Sequence, residues 1–139
     1  MIILDTNVLS ELLKPQPNKD VLAWVGQIAV GSLFTSSITE AEIRYGVARL
    51  PDGQRKYALS SVIDGIFSKD FENRILPFDS LAARAYTKIS ANRDRIGRPI
   101  SQFDAQIAAI AQSCGGDIAT RNDSDFYECG VTVINPWKS

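Results

Sequence analysis

The chain has 139 residues, 45% of them hydrophobic and 22% charged, enough to bury roughly 68–70% of the unfolded surface around one core. A net charge of −1 excludes a protein that coats duplex DNA through bulk electrostatics and leaves nucleic acid only a local basic rim. No apolar run approaches the ~20 residues of a membrane helix, and Asp5 falls too early for a secretory signal.

Together these features predict a soluble, cytoplasmic protein of one domain, residues 1–139, with no membrane role. Cys114 and Cys129 lack metal-ligand spacing and are expected as buried thiols rather than a bridge.

In chain order, Ile2-Ile3-Leu4 is a short apolar run that ends in Asp5-Thr6-Asn7, a buried strand opening into a helix start. In open α/β sheets this carboxyl edge is where ligands bind, which puts Asp5 on the floor of a crevice. A helix on Val8, Leu9, Leu12 and Leu13 is stopped by Lys14-Pro15-Gln16-Pro17. Asn18 can cap a second helix, in which Val21, Leu22, Trp24, Val25 and Ile28 cover more than one face. Core packing accounts for each residue singly, and a groove for a partner accounts for them together with the Leu9–Leu13 face.

A second strand is predicted at 32–35, then a helix with the stripe Ile43, Val47 and Leu50 and with Gly46 allowing close approach. After the Pro51-Asp52-Gly53 turn a helix runs from about Gln54 to Phe67, and a charged connector follows to Arg74. Ile75-Leu76 is a third strand, and Asp79 caps a helix carrying Ala82, Ala83, Tyr86 and Ile89 into a basic stretch, residues 92–99. Ser101 opens an alanine-rich helix that ends at Gly115-Gly116, with further strands at 117–120 and 131–134. Strands alternating with helices give a three-layer α/β/α sandwich around a mostly parallel five-stranded sheet.

Four places set acids just after a strand or in the first turn of a helix: Asp5, the Glu40/Glu42 pair, Asp104, and Asp123/Asp125. Each has a plainer explanation. Asp5 can be a helix cap, Thr39-x-x-Glu42 matches a capping box, and Ser101-x-x-Asp104 resembles one. Caps do not explain why acids gather at one sheet edge. Two carboxylates about 4 Å apart repel by roughly 4 kcal/mol at an effective dielectric of 20. A divalent ion reverses that sign.

The chain has no histidine, which removes imidazole bases, His-based triads and typical zinc sites. An acid-only pocket therefore points to Mg²⁺ or Mn²⁺ and to metal-assisted phosphodiester hydrolysis. Periodicity leaves Glu40 and Glu42 open: they lie about 200° apart on the helix, and Glu40 is nearer the apolar stripe.

Four segments, in order, carry a family resemblance: Leu4-Asp5-Thr6-Asn7, residues 37–46, residues 103–109, and Ala119-Thr120-Arg121-Asn122 with Asp125-Phe126. The chain resembles the PIN-domain ribonucleases, and among them the VapC-type toxins of bacterial toxin–antitoxin pairs. Residues 75–79 and Asn135-Pro136-Trp137 resemble the FitB-like subgroup. The resemblance implies that Asp5, Glu42 and Asp104 hold Mg²⁺ or Mn²⁺ for endonucleolytic cleavage of RNA, with Asp125 ahead of Asp123 as a fourth acid. It selects Glu42 over Glu40.

Where relatives often have a fourth aspartate this chain has Asn122, which weakens a second-metal site. The resemblance gives Thr120 the role of orienting the site, with Thr6, Asn7 and Asn122 expected around it. Arg93, Arg95, Arg98 and Arg121 would hold phosphates of single-stranded or looped RNA. The resemblance further implies a homodimer and a small DNA-binding antitoxin. That antitoxin would lay an apolar segment along Leu9, Leu12, Trp24 and Val25 and insert an Arg or Lys into the acidic pocket.

Two rivals stand beside this reading. One is a non-catalytic interaction module with a vestigial acidic pocket, which Asn122 favours. The other is a phosphatase or receiver-like domain, which lacks here the second aspartate after the first strand and a lysine after the later ones.

Overall fold

The computed structural model describes residues 1–138. Five strands, β1 (Ile2–Leu4), β2 (Leu33–Ser36), β3 (Ile75–Leu76), β4 (Asp117–Ala119) and β5 (Val133–Ile134), form one sheet in the order β3-β2-β1-β4-β5. Every neighbouring pair is parallel, so the expected mostly parallel sheet is parallel throughout. Parallel neighbours need crossovers. Helices supply them: α1 (Thr6–Leu12) and α2 (Lys19–Gly26) before β2, α3 (Ser37–Ala48) and α4 (Gln54–Gly65) before β3, and α5 (Ser80–Arg95) and α6 (Gln102–Cys114) before β4.

The two-residue period of the strands sorts the core into two layers. On one face Ile3 and Ile118 pack with Ala82 and Ile89 of α5 and with Ile107 to Ala111 of α6. On the other, Leu4, Leu33 and Ala119 pack with Val8 and Leu9 of α1, Val21 of α2, Ile43 of α3 and Ile63 of α4. The alanines of α6 bring that helix close to the sheet, and Gly115 ends it in the left-handed conformation at φ 71°. A Cβ on Gly116 would sit 3.1 Å from Ile3 Cδ1, so the glycine lets β4 start hard against β1.

Several local expectations change. The chain after α4 does not become a loop at Phe67 but continues as a π-helical turn, Ile66–Asp70, because Phe67 and Phe71 both bury into the α1–α4 core. Gly46 has open space where a Cβ would stand, so it serves no close approach. Ala83 is exposed, and the buried stripe of α5 is Ala82, Ile89 and Arg93. Cys129 is a buried thiol, whereas Cys114 is exposed. Among the described residues no helix is long and apolar enough to cross a membrane.

The strand order fixes where a site can form. Strands β2 and β3 lie to one side of β1, and β4 and β5 lie to the other. The sheet therefore switches direction between β1 and β4, and the carboxyl ends of such a pair open a crevice.

Candidate active site

Leu4 is in register with Ala119, so the next residues, Asp5 and Thr120, leave the sheet side by side. The Asp5 amide donates to Ala119 O at 2.9 Å, and the Thr120 hydroxyl donates to Asp5 Oδ2 at 2.8 Å. Asp5 Oδ1 accepts from the Thr6 amide at 2.8 Å, so the aspartate does cap α1. Asn7 Nδ2 lies 3.3 Å from Asp5 Oδ2 and 3.2 Å from Thr120 Oγ1, while its Oδ1 accepts from the Arg121 amide at 3.1 Å. The Asn122 amide adds a bond to Thr120 Oγ1 at 3.1 Å. Thr6, Asn7, Thr120 and Asn122 thus surround one carboxylate that is 4% exposed.

Glu42 arrives from α3. Ser36, not Thr39, caps that helix, its hydroxyl accepting from the Thr39 amide at 3.1 Å. The Thr39-x-x-Glu42 box is therefore not formed, and Glu42 is free to face elsewhere. Its Oε1 accepts from the Thr6 hydroxyl at 2.8 Å, and that hydroxyl lies 3.1 Å from Thr39 Oγ1. Glu40 turns the other way, to Arg44 Nε at 2.7 Å. Asp104 stands in the first turn of α6, where Ser101 Oγ accepts its amide at 3.2 Å. Asp125 lies in a short 3₁₀ turn, Asp123–Phe126, whereas Asp123 points to Lys138 Nζ at 3.8 Å.

The electrostatics tie these acids together. Burial pushes the Asp5 carboxyl up to about 6 against the bonds from Thr120 and Thr6, and the charges of Asp104 and Glu42 push it further. Burial also raises Glu42, with Asp104 adding to it, and raises Asp104, with Asp125 adding to it. Among the described residues no Lys or Arg forms an ion pair with Asp5, Glu42 or Asp104.

These acids share an edge without closing on a point: among the described residues no three His, Cys, Asp or Glu side chains are grouped tightly enough to grip one ion. The donor set fits a hard cation, since the candidate ligands at this edge are carboxylate and hydroxyl oxygens rather than thiol or imidazole.

The arginines divide. Arg98 and Arg121 are exposed, their guanidiniums over the Tyr127 ring at 4.3 Å and the Trp137 ring at 5.2 Å. Arg93 is no phosphate ligand: it is 4% exposed and bonded to backbone carbonyls. Its place four residues after Ile89 on the apolar stripe was the available signal. Thr39, fully buried beside Thr6, was the other residue not foreseen. On the far side of α1, Leu9 is core rather than free surface, 4% exposed, and forms the floor of a cleft of about 200 Å³ with Leu12, Leu13, Ile66 and Phe71. Trp24 and Val25 are half-buried on α2.

Comparison with known proteins sets this geometry in a lineage. The chain is 41% identical over 138 residues to the VapC ribonuclease Y4jK of Sinorhizobium fredii, covering 99% of each. It is 41% identical over 137 residues to the toxin FitB of Neisseria gonorrhoeae, again covering 99% of each. The crystal structure of FitAcB from that organism superposes with a TM-score of 0.94 at 40% identity, all of both chains being covered. The PIN domain model matches residues 2–131, and the chain belongs to the PIN domain family.

Proposed function

We propose that the chain is a divalent-metal-dependent endoribonuclease acting in the cytoplasm as the toxin of a toxin–antitoxin pair, with Asp5, Glu42 and Asp104 holding Mg²⁺ or Mn²⁺ and Asp125 as the fourth acid. The observation that carries this is Asp5, a carboxylate 4% exposed, bonded to hydroxyl and amide groups, raised chiefly by its burial and further by two neighbouring acids. A cap alone does not call for that charge, because asparagine caps helices equally well. The dication supplies, when bound, charge neutralisation at the phosphodiester and activation of water.

The chain's own groups do the rest. Thr120 and the Thr6 amide hold the Asp5 carboxylate in one orientation, and the Thr6 hydroxyl aims Glu42 at the same edge. Arg98 and Arg121, exposed and each held over an aromatic ring, present guanidiniums to phosphates.

RNA as substrate is supported by a relative named as a VapC ribonuclease. The antitoxin is supported by a solved complex titled as FitAB bound to a DNA fragment, whose toxin-like chain is 40% identical. The apolar cleft lined by Leu9, Leu12, Leu13, Ile66 and Phe71 suits an apolar segment of such a partner, with the half-buried Trp24 and Val25 of α2 as further apolar surface. A homodimer is the expected assembly.

Purified protein incubated with structured RNA should cut it with Mg²⁺ or Mn²⁺ and not with chelator. Asp5→Asn should lower that cleavage on the order of a hundredfold or more with its circular dichroism unchanged. Wild-type cleavage by the variant would move the activity to another site or another protein.

A further inference from the structure

Arg93 is a buried cation that no acid balances in an ion pair among the described residues. Its Nε donates to Arg98 O at 2.5 Å, and its Nη1 donates to Asp125 O at 2.8 Å and Tyr127 O at 3.0 Å, with Cys129 Sγ at 3.5 Å. The Arg98 amide returns a bond to Arg93 O at 2.9 Å. Burying a guanidinium without a carboxylate is costly, and a hydrocarbon of similar length would pack at lower cost. Three carbonyls of two irregular segments would then lose the donor they share. Lysine, a point donor, lacks the planar fork that reaches them together.

The two segments are the turn at 96–100 and the loop at 123–129, and each carries a residue of the proposed site. Arg98 stands on the first and Asp125 on the second. Tyr127, under the Arg98 guanidinium at 4.3 Å, belongs to the same clasp. Arg93 also lies close enough to Asp104 for its charge to oppose the repulsion from Asp125.

We infer that Arg93 is the positioning residue that fixes Arg98 and Asp125 relative to each other, so that one buried guanidinium sets both the phosphate grip and the fourth acid. This rests on the nuclease reading for its consequence in catalysis, but the clasp itself can be read without activity.

Two measurements decide it. In the unmutated protein, native-state hydrogen exchange at the amides of Arg98, Asp125 and Tyr127, all bonded, should show one shared opening free energy. In Arg93→Lys all three should exchange faster together while the α6 interior stays protected. Separate opening energies, or unchanged exchange in the variant, would overturn the clasp.

In the cleavage assay, Arg93→Lys should raise KM for RNA and the half-saturating Mn²⁺ concentration by roughly tenfold each. Combined with Arg98→Ala it should add nothing to KM, and combined with Asp125→Asn nothing to the Mn²⁺ requirement, because each pair acts as one unit. Effects that multiply would overturn the inference, as would a variant that only melts earlier with both constants as in wild type. If the wild type neither cuts RNA nor binds Mn²⁺, the nuclease reading falls, and the exchange data still decide the clasp.

Discussion

Asp5 must cap a helix and also stay charged beside two other acids, and the second demand acts on stability. Its ordinary value is 3.8 and its folded value about 6, and burial raises Glu42 and Asp104 as well. Between the two values the folded chain keeps a proton that the unfolded chain has released, so unfolding free energy falls as pH rises. Going from pH 7.5 to pH 5 without metal, Asp5 alone should return about 1.4 kcal/mol, one pH unit below its folded value, and the other two acids add the same sign.

Glu11 works the other way. The Lys14 side chain and then the Asn18 amide hold it below the usual range, so its contribution persists through this window and is lost as pH falls from its ordinary value of 4.5 through its folded value. Urea midpoints in chelator should therefore rise from pH 7.5 to pH 5 and fall at stronger acid. A midpoint that declines steadily from pH 7.5 would mean that Asp5 carries no such burden. Metal-dependent cleavage should follow the opposite course and fade below pH 6, since a protonated Asp5 cannot serve a cation.

At the scale of elements, the start of α3 decides which glutamate reaches the site. Ser36 is fully buried and its hydroxyl takes the Thr39 amide, which leaves the Thr39 hydroxyl beside Thr6 and Glu42 on the same side. Ser36→Ala should cost about 1–2 kcal/mol, lowering the melting midpoint by roughly 3–6 °C, and should weaken cleavage by disturbing Glu42. Unchanged melting would return the cap to Thr39.

The same element shows what was legible in the chain. Strands, helix order and the Asp5, Asp79 and Ser101 caps were written in local patterns of apolar period and cap residue. The choice between Ser36 and Thr39 was not, because only Thr39 has an acid three residues on, at Glu42, and the helix is nevertheless capped by Ser36. Glu42 was reached by family likeness rather than by periodicity, which placed Glu40 nearer the stripe. Arg93 was misread for a similar reason: carbonyls at 125 and 127, distant in sequence, join the one at 98 in making a buried arginine tolerable.

For the whole molecule, the placement of the acids links the two core layers. Asp5 leaves the central strand, Glu42 rides on α3 against the α1–α4 core, and Asp104 opens α6 against the opposite core. A cation held by all three would tie both helical layers to the sheet edge, and it would bind only the folded chain. Linkage then predicts about 2.7 kcal/mol of added stability at a metal concentration a hundredfold above Kd. At this chain length that raises the melting midpoint by roughly 6–12 °C. Thermal scans with Mn²⁺ at pH 7.5 should show the rise, and scans at pH 5 should lose most of it as the acids take protons instead. Asp104→Asn should abolish the shift while leaving the metal-free midpoint equal or higher, since it removes a repelling charge. An equal Mn²⁺ shift in that variant would place the ion away from α6 and dissolve the link between the two layers.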